Sequence, residues 1–94
     1  MIRANGNRIE VSGAMTLPGA AELLAEGNAA LAEVDALFDL AEVTAVDSSC
    51  IAVIFGWLRN AQQAGKTLRI VHPPKELLSL AELYGVTALL PLAQ

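Results

Sequence analysis

The stretch Leu37-Phe-Asp-Leu-Ala-Glu-Val-Thr-Ala-Val-Asp-Ser-Ser-Cys-Ile-Ala-Val-Ile-Phe-Gly-Trp-Leu-Arg59 decides how this chain folds. It opens on Val34, Leu37, Phe38 and Leu40, a short apolar run of the kind carried by a strand covered on both faces. A polar connection follows, then a tight turn at Asp47-Ser48-Ser49. Beyond it the hydrophobic period changes. Ile51, Ile54, Phe55, Leu58 and Ala61 recur at helical spacing and form one stripe of a helix. Asp, Ser and Ser are residue types that cap helices, because their oxygens accept from the unpaired N–H groups of the first turn. The chain therefore presents one carboxylate and two hydroxyls at the positive end of a helix dipole.

Working outward, Asn5-Gly6 between short segments predicts a hairpin joining Ile2–Ala4 to Arg8–Val11. Residues 12–15 read as a loop. Thr16 and Pro18 open a helix in which Ala21, Leu24, Asn28 and Leu31 share a face, with Gly27 weakening it. The third strand is expected over residues 34–40 and the central helix over 48–64, ended by Gly65. Residues 67–71 form a further strand. Pro73-Pro74 opens the last helix, Gly85 closes it, and an apolar tail over 86–92 returns to the sheet. The order β-β-α-β-α-β-α describes an α/β domain with a small mixed sheet and right-handed crossovers.

Asp39-Leu40, the spacer, and Asp47-Ser48-Ser49 leading into a helix resemble the STAS domain. That fold occurs in bacterial anti-sigma-factor antagonists, in sulfate-transporter tails and in a subunit of the Mla lipid-asymmetry ABC transporter. The resemblance covers nearly the whole chain. Its ending, Leu80-Ala-Glu-Leu-Tyr-Gly-Val then Leu89-Leu-Pro, is similar to the tail of the Mla-type branch. One departure stands out: the family has Gly after the two hydroxyl residues, and here Cys50 would put a side chain where a partner approaches. The resemblance implies a non-catalytic cytoplasmic subunit that binds the ATPase of a phospholipid ABC transporter. A permease and a periplasmic lipid-binding component would be indirect partners, and no cofactor or metal is implied. The alternative is an anti-sigma-factor antagonist with Ser48 as its phosphorylated hydroxyl.

Composition bounds these readings. Ninety-four residues make one domain, 1–94, large enough for a single core. Hydrophobic residues make up 54% of the chain and charged ones only 17%, an excess that points to apolar surface meeting a partner. A net charge of −4 argues against nucleic acid and against adsorption to anionic lipid. The single cysteine excludes an intrachain disulfide and a thiolate metal cluster, and fits a reducing cytosol. The polar start is unlike a signal peptide, and no apolar run reaches the ~20 residues that span a bilayer.

The site expected from these residues binds a protein. Glycines are scattered and form no phosphate loop, and one histidine, His72, is the sole support for nucleophilic chemistry with Ser48 or Cys50. Asp39 and Asp47 form a possible carboxylate pair near the turn; the plainer reading has Asp47 capping the helix and Asp39 ending a strand. If Ile51, Ile54, Phe55 and Leu58 face the core, then Ser49, Val53, Gly56 and Asn60 point outward with Trp57 at the border. The expected partner surface is therefore Asp47, Ser48, Ser49, Val53, Gly56 and Trp57, with Trp57 as anchor and Ser48 as a possible phosphosite.

Overall fold

The computed structural model describes residues 1–93. Four strands and three helices follow one another as β1 (Ile2–Asn5), β2 (Arg8–Met15), α1 (Ala20–Leu31), β3 (Ala36–Val46), α2 (Ser48–Ala64), β4 (Leu68–Val71) and α3 (Lys75–Leu83). A 3₁₀ turn at Leu17–Gly19 precedes α1, and another at Thr87–Leu89 follows α3. The strands lie in the order β1-β2-β3-β4. The β1/β2 pair is antiparallel, and β3 is parallel to both its neighbours. The mixed α/β sheet and the element order are those expected from the sequence.

Alternation along the strands sorts the two faces. Ile9, Val11, Met15, Phe38, Leu40, Leu68 and Ile70 are buried and share one core with residues of all three helices. Arg3, Arg8, Glu10, Asp39 and Arg69 lie on the opposite face, which no helix covers. The domain is thus two layers, helices over one side of a sheet. The tail returns as expected: the Ile70 N–H donates to Pro91 O and the Ala93 N–H to Ile70 O, both at 2.8 Å, along the outer edge of β4.

Three boundaries differ from the sequence reading. Asn5 pairs with Arg8, so the hairpin turns on Gly6-Asn7, with Gly6 at φ 66° in the first central position. Residues 12–15 are strand rather than loop, and β3 runs on to Val46. Their mutual pairing is irregular between Glu10/Ser12 and Gly13/Ala14. Bulges of this kind break the apolar alternation by which a strand is recognised in sequence.

The largest difference lies in α2. Its bounds and its left-handed Gly65 (φ 70°) are as expected, but its buried arc is wider than one stripe. Val53, Gly56 and Trp57 are buried together with Cys50, Ile51, Ile54 and Ala61, whereas Phe55 and Leu58 are half-exposed. The cause is α1, which packs beside α2 and gives it a second buried flank. The Trp57 indole N–H donates to the carbonyls of Leu23 (3.1 Å) and Leu24 (3.2 Å), and its ring meets Phe38 at a centroid distance of 4.6 Å. Gly27 leaves the space the indole occupies: a Cβ there would lie 2.8 Å from Trp57 Cδ1 and nearer still to other ring atoms. Gly56 likewise faces Leu24, whose Cδ1 would stand 2.6 Å from an added Cβ. These two glycines interlock the helices, and the inner face of α1 is Leu23, Gly27 and Leu31.

Candidate functional site

The start of α2 is built by Asp47. It has extended backbone (φ −135°, ψ −170°) and is the N-cap residue. Its Oδ1 accepts from the Ser49 N–H at 2.9 Å and from the Ser49 hydroxyl at 2.5 Å. Its Oδ2 accepts from the Leu17 N–H at 3.1 Å, across to the turn before α1. The Ser49 hydroxyl, the Leu17 amide and the Ser49 amide hold the Asp47 carboxyl below the usual carboxylate range, against a smaller opposing effect of burial. Asp47 therefore fills the role that a capping serine would have taken. Ser48 is the first helical residue, exposed, with no hydrogen bond from its hydroxyl among the described residues.

Of the expected partner surface, Asp47, Ser48 and Ser49 come together as predicted. Val53, Gly56 and Trp57 belong to the core and its α1 contact, so no outward Val-Gly-Trp patch exists. What α2 shows to solvent is Ser48, Ala52 and Arg59, with Phe55 and Leu58 partly exposed between them. Leu17, 72% exposed, stands beside the start of this strip, and Leu89, 61% exposed, borders its far half. The hydrophobic pattern carried no signal for these: an exposed leucine in a turn looks like any other leucine.

Cys50 does not reach the surface. It is buried with its Sγ 3.8 Å from Met15 Sδ, and burial, helped by the nearby Asp47 charge, pushes its thiol up to about 12. A thiol so held is neither nucleophile nor partner contact.

Asp39 and Asp47 do not pair. They are eight residues apart along β3 and its exit, a span of up to about 25 Å at strand rise. Asp39 instead accepts from Arg8 (2.6 Å) and the Ala41 N–H (2.9 Å), and lies 3.0 Å from His72 Nδ1. Burial opposes its charge, but the Ala41 N–H, His72 and Arg8 outweigh that and bring its pKa to about 2. His72, at φ 54° just after β4, is engaged by Asp39 rather than by Ser48 or Cys50. Among the described residues no group of three His, Cys, Asp or Glu is placed to hold a metal, and no helix is long and apolar enough to cross a membrane.

The family profile described as "Mlab, STAS domain" matches residues 1–91. The chain belongs to the MlaB-type STAS family. Over 50 residues it is 40% identical to the intermembrane phospholipid transport system binding protein MlaB of Haemophilus influenzae. That match takes in 53% of this chain and 48% of the relative, so it spans about half the length of the curated relative. Among solved structures, a putative anti-sigma factor antagonist from Thermotoga maritima superimposes with a TM-score of 0.77 at 13% identity, covering 100% of this chain and 85% of that one. The unphosphorylated anti-sigma factor antagonist SpoIIAA gives a TM-score of 0.67 at 11% identity, covering 88% and 81%. At such identities the two structures share the fold with this STAS domain.

Proposed function

We propose that this STAS domain is a non-catalytic subunit of a phospholipid ABC transporter. In this reading it docks on the transporter's cytoplasmic ATPase through the start and exposed strip of α2, and regulates or stabilises it. The permease and a periplasmic lipid-binding component are then indirect partners, and the domain sits at the inner membrane only through the ATPase. The observation that carries the reading is the match to the MlaB-type family across residues 1–91. The geometry supports the docking surface. Asp47 satisfies the helix start from within, which leaves the Ser48 hydroxyl free beside exposed Leu17. Tagged protein extracted in mild detergent is expected to co-purify with an ABC ATPase. Recovery with a kinase-like anti-sigma partner instead would refute the reading.

The second reading, an anti-sigma-factor antagonist, draws on the same free hydroxyl. A phosphoryl group on Ser48 would add up to two negative charges where the helix dipole favours them, against the opposition of Asp47. Phosphoserine at position 48 in protein isolated from cells, with loss of partner binding on phosphorylation, would favour it.

A further inference from the structure

We infer that Asp47 is a positioning residue that holds Leu17 as an apolar contact for the ATPase, and that the groove behind Leu17 receives an apolar side chain of that partner. The inference rests on the docking reading above and names a part of that surface which the sequence did not. Leu17 belongs to a different element from α2, thirty residues earlier in the chain. Its turn packs against α2, and the Asp47 carboxylate is the acceptor for its amide. Both oxygens of Asp47 are engaged inside the molecule, so this side chain has no need of a partner to satisfy it.

The groove so formed has Leu17, Ala20, Ala21 and Leu24 on one wall and Ala52 and Val53 on the other. Its volume of about 220 Å³ exceeds the ~150 Å³ that is enough to hold a benzene ring in a protein interior. No charged side chain lines it. It adjoins the Ser48 end of the proposed docking face through Ser49 and Ala52, so a protein seated on Ser48 covers it as well. The fitting occupant is an aliphatic or aromatic residue of the ATPase, flanked by a group that hydrogen-bonds the Ser48 hydroxyl. An apolar contact of this kind is most effective when the knob is held in place beforehand, because ordering a free side chain and its turn on binding is costly.

Asparagine at position 47 separates capping from positioning. Its carbonyl oxygen still accepts from the Ser49 N–H, and Asn caps as well as Asp. Its NH₂ group then faces the Leu17 N–H, donor against donor, and the tether is lost. The test measures ATPase affinity for wild type, Asp47→Asn, Leu17→Ala and the double variant, with melting temperature and Leu17 amide exchange of the free domains. Asp47→Asn is expected to keep the melting temperature within a few degrees, speed exchange at Leu17 and weaken binding about tenfold. Leu17→Ala should weaken binding by at least as much, and the double variant should bind about as Leu17→Ala does. Leu17→Met should largely retain affinity. Wild-type affinity in Leu17→Ala, or losses that multiply in the double variant, would overturn the inference while leaving the docking reading intact. A wild-type domain that fails to bind the ATPase overturns both.

Discussion

Replacing Gly27 by alanine should cost far more than the usual exchange of glycine for alanine inside a helix. By propensity alone it would stabilise α1 by ~0.8–1 kcal/mol. Here the added Cβ would overlap the Trp57 indole, which cannot swing aside freely. Its N–H is tied to the carbonyls of Leu23 and Leu24 and its ring is packed on Phe38. Overpacking of a tight core costs ~1–3 kcal/mol. If the ring is displaced, the buried N–H loses its acceptors at a further ~1–3 kcal/mol. The propensity gain offsets only part of this, and the net expectation is a loss of about 2–4 kcal/mol. At ~4–8 °C per kcal/mol for a domain of this size, the melting temperature should fall by roughly 10–25 °C. Thermal unfolding followed by circular dichroism measures it. Gly19→Ala serves as control, since nothing lies within 4 Å of a Cβ there and its φ is negative. In a Trp57→Phe background, with its smaller ring and no N–H, the cost of Gly27→Ala should shrink by 1 kcal/mol or more, about the size of coupling between residues in contact. A Gly27→Ala domain that melts at or above wild type, or an equal loss in both backgrounds, would refute the interlock.

Ser48→Ala should leave the melting temperature within a degree or two, because Asp47 and not Ser48 caps α2; Ser48→Asp should also fold normally yet weaken ATPase binding at least tenfold, by placing a charge in a close-packed interface. Wild-type affinity of Ser48→Asp in a titration would put Ser48 outside the contact. Asp39 has its folded pKa lowered to about 2, so the stability it adds is fully present above the ordinary carboxylate pKa of ~3.9 and is lost as pH falls toward 2. Asp39→Asn should therefore be less stable than wild type at pH 7 in urea unfolding, with the gap closing between pH 4 and pH 2; a gap independent of pH would dissociate Asp39 from this ion pair. Cys50 should resist thiol reagents at pH 8 in the native domain and react once it is unfolded. Cys50→Ser should lose ~1–3 kcal/mol for a hydroxyl buried against Met15 while leaving partner binding within a few-fold, and abolished binding in a folded variant would reveal a role for the thiol.

The parts of the fold that rest on local chemistry were legible. Asp47-Ser48-Ser49 and Gly65 bracket α2, Pro73-Pro74 opens α3, and the glycine beside Asn5 marks the hairpin. Each carries its own conformational preference and needs no neighbour to express it. Pairing at a distance was not legible. The second half of β3 lacks alternation because its bulged register against β2 sets its burial. Trp57 appeared to lie at a border because a helix wheel with one apolar side cannot anticipate a second helix alongside. Gly27, read as a weak point of α1, is the space into which Trp57 fits. The candidate site divides the same way: Asp47, Ser48 and Ser49 came from their motif, whereas Leu17 joins them through a hydrogen bond thirty residues long in sequence.

The arrangement of the sheet also bears on how the chain acquires its structure as it leaves the ribosome. The β1/β2 hairpin needs only its own two strands, but the next partner of β2 is β3, which arrives after the whole of α1. The inner face of α1 waits longer still, for Trp57. At ~5–20 residues per second, Leu23 and Leu31 are exposed for a second or more before the indole that covers them has been made. Nascent chains ending before α2 are therefore sticky fragments rather than small folded units, dependent on chaperones or on the shelter of the exit tunnel. The domain consolidates late, when the residue that locks its helices has finally been synthesised.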